Sequence, residues 1–157
     1  MTQGSLFGAP APGSAATANV DGGSRGNPGP AGYGVFITRD DGSTVEIKES
    51  IGIATNNVAE YNGLIAALRW AVEHGIGILR VKADSELLVK QMLGVYRVKN
   101  PGLQPLYENA RALVQQLKHV EFEHVRREFN QDADRLANEA MDEETTQGGS
   151  KDPRLQL

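Results

Sequence analysis

The amino-acid sequence predicts an α/β protein in which helices pack against one mixed β-sheet. Two observations lead to this prediction. Alternating β-type residues surround a turn in the first third of the chain, and short apolar stretches then alternate with stretches of helical periodicity. Hairpins followed by strand–helix alternation are typical of a mixed sheet covered by helices. A length of 157 residues with 39% hydrophobic residues suits one core of ordinary size, which predicts a single domain.

Three antiparallel strands are expected at the start of the sheet. The stretch VDGGSRGNPGPAGYGV, residues 20–35, holds the first strand and then a turn. AGYGVFITRD alternates as a half-buried strand does, Asp41 and Gly42 supply a hairpin turn, and STVEIKESIGIA alternates again. These segments therefore predict consecutive strands joined by short turns.

A long helix is predicted next, and strand and helix patterns then alternate. The apolar positions between residues 57 and 74 recur at helical spacing, namely Tyr61, Leu64, Ile65, Leu68 and Val72. Gly75 then provides a C-cap. The remaining segments are, in order, GILRVKA (strand), SELLVKQMLG (helix), PLYENARALVQQLK (helix), VEFEHV (strand) and QDADRLANEAMD (helix).

Both ends of the chain have the composition of flexible tails. Residues 1–18 are rich in Ala, Pro, Gly and Ser, and residues 143–157 are mostly polar, which leaves residues 19–142 as the folded domain. The first residues lack the basic region and apolar core of a secretory signal, and no stretch approaches the roughly 20 apolar residues of a membrane span. We therefore expect a cytoplasmic protein without membrane association.

The composition also limits the chemistry. The chain has no cysteine, and its three histidines, at 74, 119 and 124, lack metal-site spacing, so a bound metal would have oxygen ligands. The net charge of −4 argues against binding nucleic acid by bulk electrostatics, although local basic patches remain compatible with it.

Four acidic residues occupy comparable places in the predicted layout. Asp21 is in the first strand, and Glu60 is in the first turn of the long helix. Asp84 stands where the fourth strand gives way to a helix, and Asp134 is in the first turn of the last helix. Each has an ordinary structural explanation: a turn residue, a capping box of Glu60 with Asn57, an N-cap, and an acid at the positive end of a helix dipole, respectively.

Considered together, the four acids predict a metal site. If the first and fourth strands are neighbours, Asp21 and Asp84 project from adjacent strands, and the two helix N-termini bring Glu60 and Asp134 towards the same edge. Clustered carboxylates raise one another's pKa unless a cation compensates. Oxygen ligands without His or Cys suit Mg²⁺ or Mn²⁺. Two such ions, about 3.5–4 Å apart, can activate a water and stabilise the leaving oxygen of a phosphodiester.

Four motifs follow one another along the chain: DGGSRGNPGPAGYG, TNNVAEY, ADSELLV and NQDADRLANEA. In this order and at these separations they resemble type 1 ribonuclease H, particularly the compact archaeal and actinobacterial forms without a hybrid-binding domain, over about residues 18–142. The resemblance implies a ribonuclease H-like fold whose five-stranded mixed sheet has three antiparallel and then two parallel strands, flanked by helices. It also implies metal-dependent hydrolysis of the RNA strand of an RNA/DNA hybrid, leaving 3′-hydroxyl and 5′-phosphate ends. The matching catalytic acids, which would hold two Mg²⁺ or Mn²⁺ ions with substrate bound, are Asp21, Glu60, Asp84 and Asp134.

The resemblance further implies a set of substrate contacts. Asn27, Asn56 and Asn57 match residues that contact the hybrid in its minor groove, where 2′-hydroxyls distinguish RNA from DNA. As turn and cap residues, these asparagines have an equally ordinary structural explanation. Thr55 and Asn100 match two members of a pocket for a DNA phosphate, although Ile53 stands where some members have an Arg. The predicted set is completed by Gly22, Ser24 and Asn130.

Two departures from the family pattern concern catalysis and binding. The loop before the last acid carries no His, and Arg127 near that place could contact the scissile phosphate but cannot act as a base. His124, on a predicted strand, is interpreted as structural. The basic protrusion that some members insert is reduced to GVYRVKNPG, where Arg97 and Lys99 are the remaining cations, so we expect weaker and more salt-sensitive substrate binding.

The tail carries a peptide of separate interest. QGSLF, from Gln3 to Phe7, resembles the Q-x-x-L-F peptide by which bacterial replication and repair proteins bind the sliding clamp, and it could equally be an incidental apolar pair. Two functions remain beside the hybrid-specific nuclease, which we expect to be monomeric: a metal nuclease that also cuts double-stranded RNA, and a non-catalytic nucleic-acid-binding module. Clustered carboxylates count against the module, because a binder of polyanions gains nothing from them.

Overall fold

The centre of the molecule is a five-stranded mixed sheet with the strand order β3-β2-β1-β4-β5. The computed structural model describes the backbone of residues 14–151 and the side chains of residues 14–143. The strands are β1 Ala15–Ser24, β2 Gly29–Arg39, β3 Thr44–Ala54, β4 Ile78–Ala83 and β5 His119–His124. β2 runs antiparallel to β1 and to β3, whereas β4 runs parallel to β1 and to β5. This confirms the predicted fold class, including the neighbouring positions of the first and fourth strands.

Helices cover both faces of this sheet. They are α1 Asn56–Glu73, α2 Glu86–Met92, α3 Gln104–Gln115 and α4 Gln131–Lys151. α1 packs mainly against β1 and β2 and also contacts α3, whereas α4 packs against β2, β3 and β1. Within the described residues, no helix combines the length and the apolarity that crossing a bilayer requires.

The two faces of β2 are built differently. Tyr33, Val35 and Ile37, at alternate positions, join the main hydrophobic core together with α1. Gly34 lies between them on the opposite face of the strand. A Cβ added to Gly34 would lie only 2.5 Å from the Cβ of Leu136 in α4. Because only a glycine leaves this space, α4 lies unusually close to the sheet.

Local signals start and end these elements. The Thr55 hydroxyl accepts a hydrogen bond of 3.2 Å from the Val58 N–H and so caps α1. At the turn between β2 and β3, Gly42 has φ +86° and its N–H donates to the Arg39 carbonyl at 2.9 Å. The predicted Asp41-Gly42 hairpin turn is therefore present.

Two predicted boundaries are wrong. β1 begins at Ala15, so the last residues of the predicted tail 1–18 belong to the sheet, where Ala16 and Ala18 are 3% and 0% exposed. Small alanines fill this part of the core, and their composition resembled that of a linker. α4 continues to Lys151, inside the predicted tail 143–157, because extending a formed helix costs little per residue. The predicted tail segments 1–13 and 152–157 lie outside the described residues.

Candidate active site

The parallel pairing of β1 with β4 brings two of the acids to one edge of the sheet. Val20 lies opposite Ala83 in this register, and Asp21 and Asp84 are the next residues along the chain. Because the carboxyl ends of parallel strands meet at the same edge, their side chains converge there. The Asp84 side chain is only 13% exposed.

Glu60 reaches the same place because α1 packs tightly on β1. A Cβ on Gly22 would lie 2.4 Å from the carbonyl carbon of Ala59 and 2.6 Å from the backbone nitrogen of Glu60. Only glycine permits this approach, which fixes Glu60 beside the strand that carries Asp21. A hydrogen bond with Ser85 also connects the Glu60 carboxyl to the start of α2.

The capping explanations for Glu60 and Asp84 do not hold. Thr55 is the N-cap of α1, so Glu60 lies in the second turn rather than the first and forms no capping box with Asn57. Ser85, not Asp84, caps α2 by accepting from the Leu88 N–H at 3.2 Å. Helix capping therefore explains neither Glu60 nor Asp84.

Asp134 comes from the first turn of α4, as the sequence indicated. Its backbone N–H donates to the Asn130 carbonyl at 3.0 Å. A Cβ on Gly34 would lie 2.6 Å from the Ala133 carbonyl oxygen, so the close approach of α4 to β2 extends to this turn.

An open pocket of about 660 Å³ lies where these elements meet, and all four acids line it. Its lining also includes residues that the sequence analysis did not assign to a site, namely Arg25, Arg126, Asn138 and Met141. Asn138 and Met141 follow Asp134 by four and seven residues, so helical spacing could have identified them.

The pocket disfavours negative charge on Asp21. Burial, the charge of Asp84 and a hydrogen bond with Asp134 raise the pKa of Asp21 to about 8, although the Gly22 N–H, 2.9 Å from Oδ1, opposes this rise. A carboxyl with such a pKa is stabilised as an anion only when positive charge is brought close to it.

Glu60 and Asp84 are affected in the same direction. Burial raises the pKa of Glu60 to about 7, with the Ser85 hydrogen bond lowering it and Asp84 raising it. Burial also raises the pKa of Asp84, against the opposing charge of Arg127. The acids thus share a pocket that burial and mutual repulsion make unfavourable for several negative charges.

These residues fit a divalent cation of the Mg²⁺ type. The donors are carboxylate oxygens, and a cation would relieve the repulsion that raises the pKa of Asp21. Within the described residues, no three His, Cys, Asp or Glu side chains enclose an ion by themselves. Mg²⁺ commonly keeps several waters and is bound through one or two carboxylates and substrate phosphates.

Arg127 stands at the rim of the pocket. Its Nε lies 3.8 Å from Oδ2 of Asp84, and its side chain is 82% exposed. His124, which the sequence analysis interpreted as a structural strand residue, is exposed and lines the same pocket. β5 ends at His124, opposite Ala83, so its place on a strand is as predicted, while its structural role remains a prediction.

A polar network borders the pocket at the end of β1. The Oδ1 of Asn56 accepts from the Ser24 N–H at 2.8 Å, and the Oδ1 of Asn27 accepts from the Asn56 N–H at 2.9 Å. The oxygens of the two amides are therefore engaged within the protein. In the described part of the chain their Nδ2 groups have no protein partner, which leaves them as donors.

The predicted phosphate-pocket residues are exposed and partly engaged. The Thr55 hydroxyl accepts the N-cap bond but can still donate. The Oδ1 of Asn100 accepts from the Gly102 N–H at 2.7 Å, which leaves its Nδ2 as a donor. Ile53, in the position where some members have an Arg, is 70% exposed.

Asn130, which the sequence analysis predicted to contact substrate, is buried and does not line the pocket. It is 1% exposed. Its Nδ2 donates to the Val20 carbonyl at 2.9 Å, and its Oδ1 accepts from Asn19 Nδ2 at 2.9 Å. This burial and these two bonds count against a direct contact of Asn130 with nucleic acid.

Comparison with known proteins agrees with this fold and acidic pocket. The family model described as "Reverse transcriptase-like" matches residues 19–140. The chain is 56% identical over 125 residues to the bifunctional protein Rv2228c of Mycobacterium tuberculosis, a match that covers 78% of this chain and 34% of that protein. The chain thus spans about a third of the length of this curated relative.

Solved structures identify the class more closely. The N-terminal RNase H domain of rv2228c from Mycobacterium tuberculosis, solved as a maltose-binding-protein fusion, superimposes with a TM-score of 0.82 at 50% identity, covering 86% of this chain and 99% of the other. LC11-RNase H1, in complex with an RNA/DNA hybrid, gives a TM-score of 0.77 at 43% identity, covering 82% and 97%. The chain belongs to the ribonuclease H family of nucleases.

Proposed function

We propose that this chain is an endoribonuclease that hydrolyses the RNA strand of RNA/DNA hybrids with two divalent metal ions, leaving 3′-hydroxyl and 5′-phosphate ends. The observation that carries the proposal is the set of four acids that line one pocket, one from β1, one from the end of β4 and one each from α1 and α4. The membership of the family and the hybrid bound by a relative 43% identical to this chain support the substrate class.

The four acids would hold the ions. Asp21, Glu60, Asp84 and Asp134 supply the carboxylate oxygens, and phosphate oxygens and water complete the coordination. When bound, Mg²⁺ or Mn²⁺ lowers the pKa of a water and neutralises charge on the leaving oxygen of the phosphodiester. The protein's own contribution is to keep these carboxylates fixed and largely buried, so that they lose little energy by reorganising during the reaction.

Arg127 supplies positive charge outside the ring of acids. It is exposed, remains protonated and can donate two parallel hydrogen bonds to a phosphate. We assign it to the scissile phosphate or its neighbour. It does not accept a proton, so the proton of the attacking water passes to another group of the pocket, to solvent or to the substrate.

Recognition of the hybrid is assigned to the polar network beside the pocket. The free Nδ2 groups of Asn27 and Asn56 can donate to 2′-hydroxyls or base edges in the shallow minor groove. Gly22 and Ser24 line the pocket itself. Asn57, next to Asn56 on α1, is assigned to the same recognition surface. Thr55 and Asn100 would donate to a phosphate of the DNA strand.

The wider setting is also part of the proposal. The protein would act as a cytoplasmic monomer during replication or repair, and the Gln3 to Phe7 peptide, outside the described residues, would bind the sliding clamp. The linker after it would raise the effective concentration of the enzyme at the clamp. Deleting residues 1–10 should abolish clamp binding in a pull-down and leave cleavage of free hybrid unchanged. Retained clamp binding would contradict the assignment.

Cleavage of end-labelled substrates tests the proposed function. Wild type, Asp134→Asn and Asp132→Asn are compared on an RNA/DNA hybrid and a matched double-stranded RNA, with Mg²⁺, with Mn²⁺ and with chelator. Asp132 is the matched control, because it lies on the same turn of α4 but its side chain is 58% exposed and 3.6 Å from Arg135.

We expect wild type and Asp132→Asn to cut only the RNA strand of the hybrid and only with metal. Asp134→Asn should lose activity by about 100-fold or more. Equal cutting by Asp134→Asn would overturn the metal-site assignment. Cutting of double-stranded RNA would broaden the substrate class, and hybrid binding without cutting would favour a non-catalytic module.

A further inference from the structure

Both polar side-chain atoms of Asn130 and both of its backbone polar groups are hydrogen-bonded inside the protein. Besides its side-chain bonds to Val20 and Asn19, its backbone N–H donates to the Arg127 carbonyl at 2.9 Å, and its carbonyl accepts from the Asp134 N–H at 3.0 Å. With 1% exposure, none of these groups can exchange its partner for water.

The partners of Asn130 are distributed over three parts of the pocket. Val20 immediately precedes Asp21 on β1, Asp134 is itself one of the acids, and Arg127 is the cation at the rim. One buried side chain thus connects the strand that carries the first acid to the helix turn that carries the last. Among the described residues, no other side-chain amide is hydrogen-bonded to both Asn19 and Val20.

The bonds of Asn130 also constrain the distance between β1 and the start of α4. A shift of the α4 start away from β1 would break the bond between the Asn130 amide and the Val20 carbonyl, and breaking a buried hydrogen bond costs free energy. Asn19 donates to the Oδ1 of Asn130 and so fixes which way the amide faces. The relative positions of Asp21 and Asp134 are therefore constrained through Asn130.

We propose that Asn130 is a positioning residue that sets the spacing of Asp21 and Asp134 for metal binding, rather than a residue that contacts substrate. The inference rests on the proposed function, because it assigns the two acids to a divalent metal site. Partners that orient metal ligands are typically worth about 10–100-fold in metal affinity or activity. A residue that only stabilises the fold would not affect the affinity of the folded protein for metal.

The test measures metal binding apart from catalysis. Mn²⁺ is titrated into full-length wild type, Asn130→Ala and Asn19→Ala without nucleic acid, and free Mn²⁺ is followed by electron paramagnetic resonance. Binding of the RNA/DNA hybrid without divalent metal and the kcat and KM for hybrid cleavage are measured on the same samples. Ile37→Val is the stability control, because Ile37 is fully buried in β2 at the opposite end of the β1 pairing, across from Ala18.

Asn130→Ala should weaken Mn²⁺ binding about 10-fold and lower kcat, with KM and metal-free hybrid binding nearly unchanged. Asn19→Ala, which keeps the Val20 bond, should weaken Mn²⁺ binding about 3-fold and remains informative if Asn130→Ala does not fold. The double variant should match Asn130→Ala alone, because both changes break the same bond.

Two results would overturn the proposal. Mn²⁺ affinities equal to that of Ile37→Val would reduce Asn130 to a stabilising residue. A loss of hybrid binding at unchanged Mn²⁺ affinity would restore it as a substrate contact. A wild type that binds Mn²⁺ but leaves the hybrid intact would overturn the proposed function instead, and the Mn²⁺ titrations would still decide the role of Asn130.

Discussion

The Nε atom of Arg127 lies 3.8 Å from Oδ2 of Asp84 and joins an exposed cation to a nearly buried acid. The charge of Arg127 lowers the pKa of Asp84, which burial raises. The distance is long for an ion pair, so Arg127 can turn towards a phosphate without breaking a strong bond. The pair therefore combines a charge that opposes the rise in the pKa of Asp84 with a side chain that can turn to the substrate.

Replacing Arg127 with Ala should lower kcat about 10-fold, less than for a buried preorganised donor because the side chain is exposed. Without its charge the pKa of Asp84 rises, so the acidic limb of the pH profile of kcat/KM should move to higher pH. Arg127→Lys should restore the position of that limb but not the full kcat, since an ammonium lacks the two-pronged geometry. The measurement is a pH series with hybrid substrate and Mg²⁺.

Arg135→Ala is the control for loss of a surface arginine. Arg135 lies on α4 and pairs with Glu46 at 2.6 Å, on the surface between α4 and β3. The pH profile of kcat/KM for Arg135→Ala should match that of wild type. An unshifted acidic limb in Arg127→Ala would show that Arg127 does not affect the ionisation of Asp84.

Gly22→Ala should disturb both stability and the position of Glu60. The added Cβ would lie 2.4–2.6 Å from backbone atoms of Ala59 and Glu60, and backbone cannot move aside as a side chain can. Overpacking of this kind costs about 1–3 kcal/mol of unfolding free energy, and the displaced Glu60 should lower kcat as well. Urea unfolding and hybrid cleavage measure the two effects.

Gly23→Ala provides the comparison for Gly22→Ala. A Cβ there would meet the flexible Met141 side chain at 3.3 Å instead of backbone. Its unfolding free energy should fall by less than that of Gly22→Ala. Equal losses would mean that the close packing of α1 on β1 is not what requires glycine at position 22.

The metal-free protein should lose stability as the pH rises from about 4 to about 8. The pKa of Asp21 is raised from 3.8 to about 8 in the folded state, so over this range the folded chain retains a proton that the unfolded chain has released. The folded state binds more protons, and the free energy of unfolding therefore decreases with rising pH. Glu60, with a pKa raised to about 7, acts in the same direction.

Thermal unfolding in chelator measures this effect. One pKa unit corresponds to about 1.4 kcal/mol, so Tm should fall by at least about 4 °C between pH 5 and pH 8. Mg²⁺ at pH 8 should recover most of the loss, and Asp21→Asn should flatten the pH dependence and raise Tm at pH 8. A wild-type Tm that rises over this range would contradict the buried, mutually repelling arrangement of the acids.

The sequence predicted the convergence of the acids because strand ends and helix starts are visible in local patterns. Asp21 and Asp84 follow apolar strand segments, and the parallel pairing of those strands places them together. The burial of Asn130 behind β1 was not predicted, because it depends on how α4 packs, which no local pattern records. The exposed position of His124 beside the pocket was not predicted, because an exposed strand end and a packed strand interior have similar sequences.

The predicted boundaries of the folded domain were wrong for a related reason. Ala15–Ala18 read as linker by composition, although small side chains are what a crowded strand pair needs at this position. The close approaches at Gly22 and Gly34 also escaped the sequence analysis, which saw turn and strand glycines there. Distances between elements, rather than the elements themselves, are what the sequence did not show.

Arg97 and Lys99 should carry the salt dependence of hybrid binding. Both are exposed, and in the described residues neither lies within 4 Å of a carboxylate, so their charges are available to phosphates. Each phosphate contact contributes close to one unit to the slope of log affinity against log salt. Arg97→Ala and Lys99→Ala should each lower that slope by about one and raise KM at about 150 mM salt.

Arg80→Ala is the matched loss of one positive charge. Arg80 lies on β4 away from the pocket and is 3.5 Å from Glu121 on β5. The salt slope and KM of Arg80→Ala should equal those of wild type, because Glu121 already pairs with Arg80 and Arg80 does not line the pocket. If all three variants lowered the slope equally, the effect would come from net charge. If none did, the short segment between α2 and α3 would make no phosphate contact, and the asparagine network beside the pocket would carry hybrid binding by hydrogen bonds that salt does not screen.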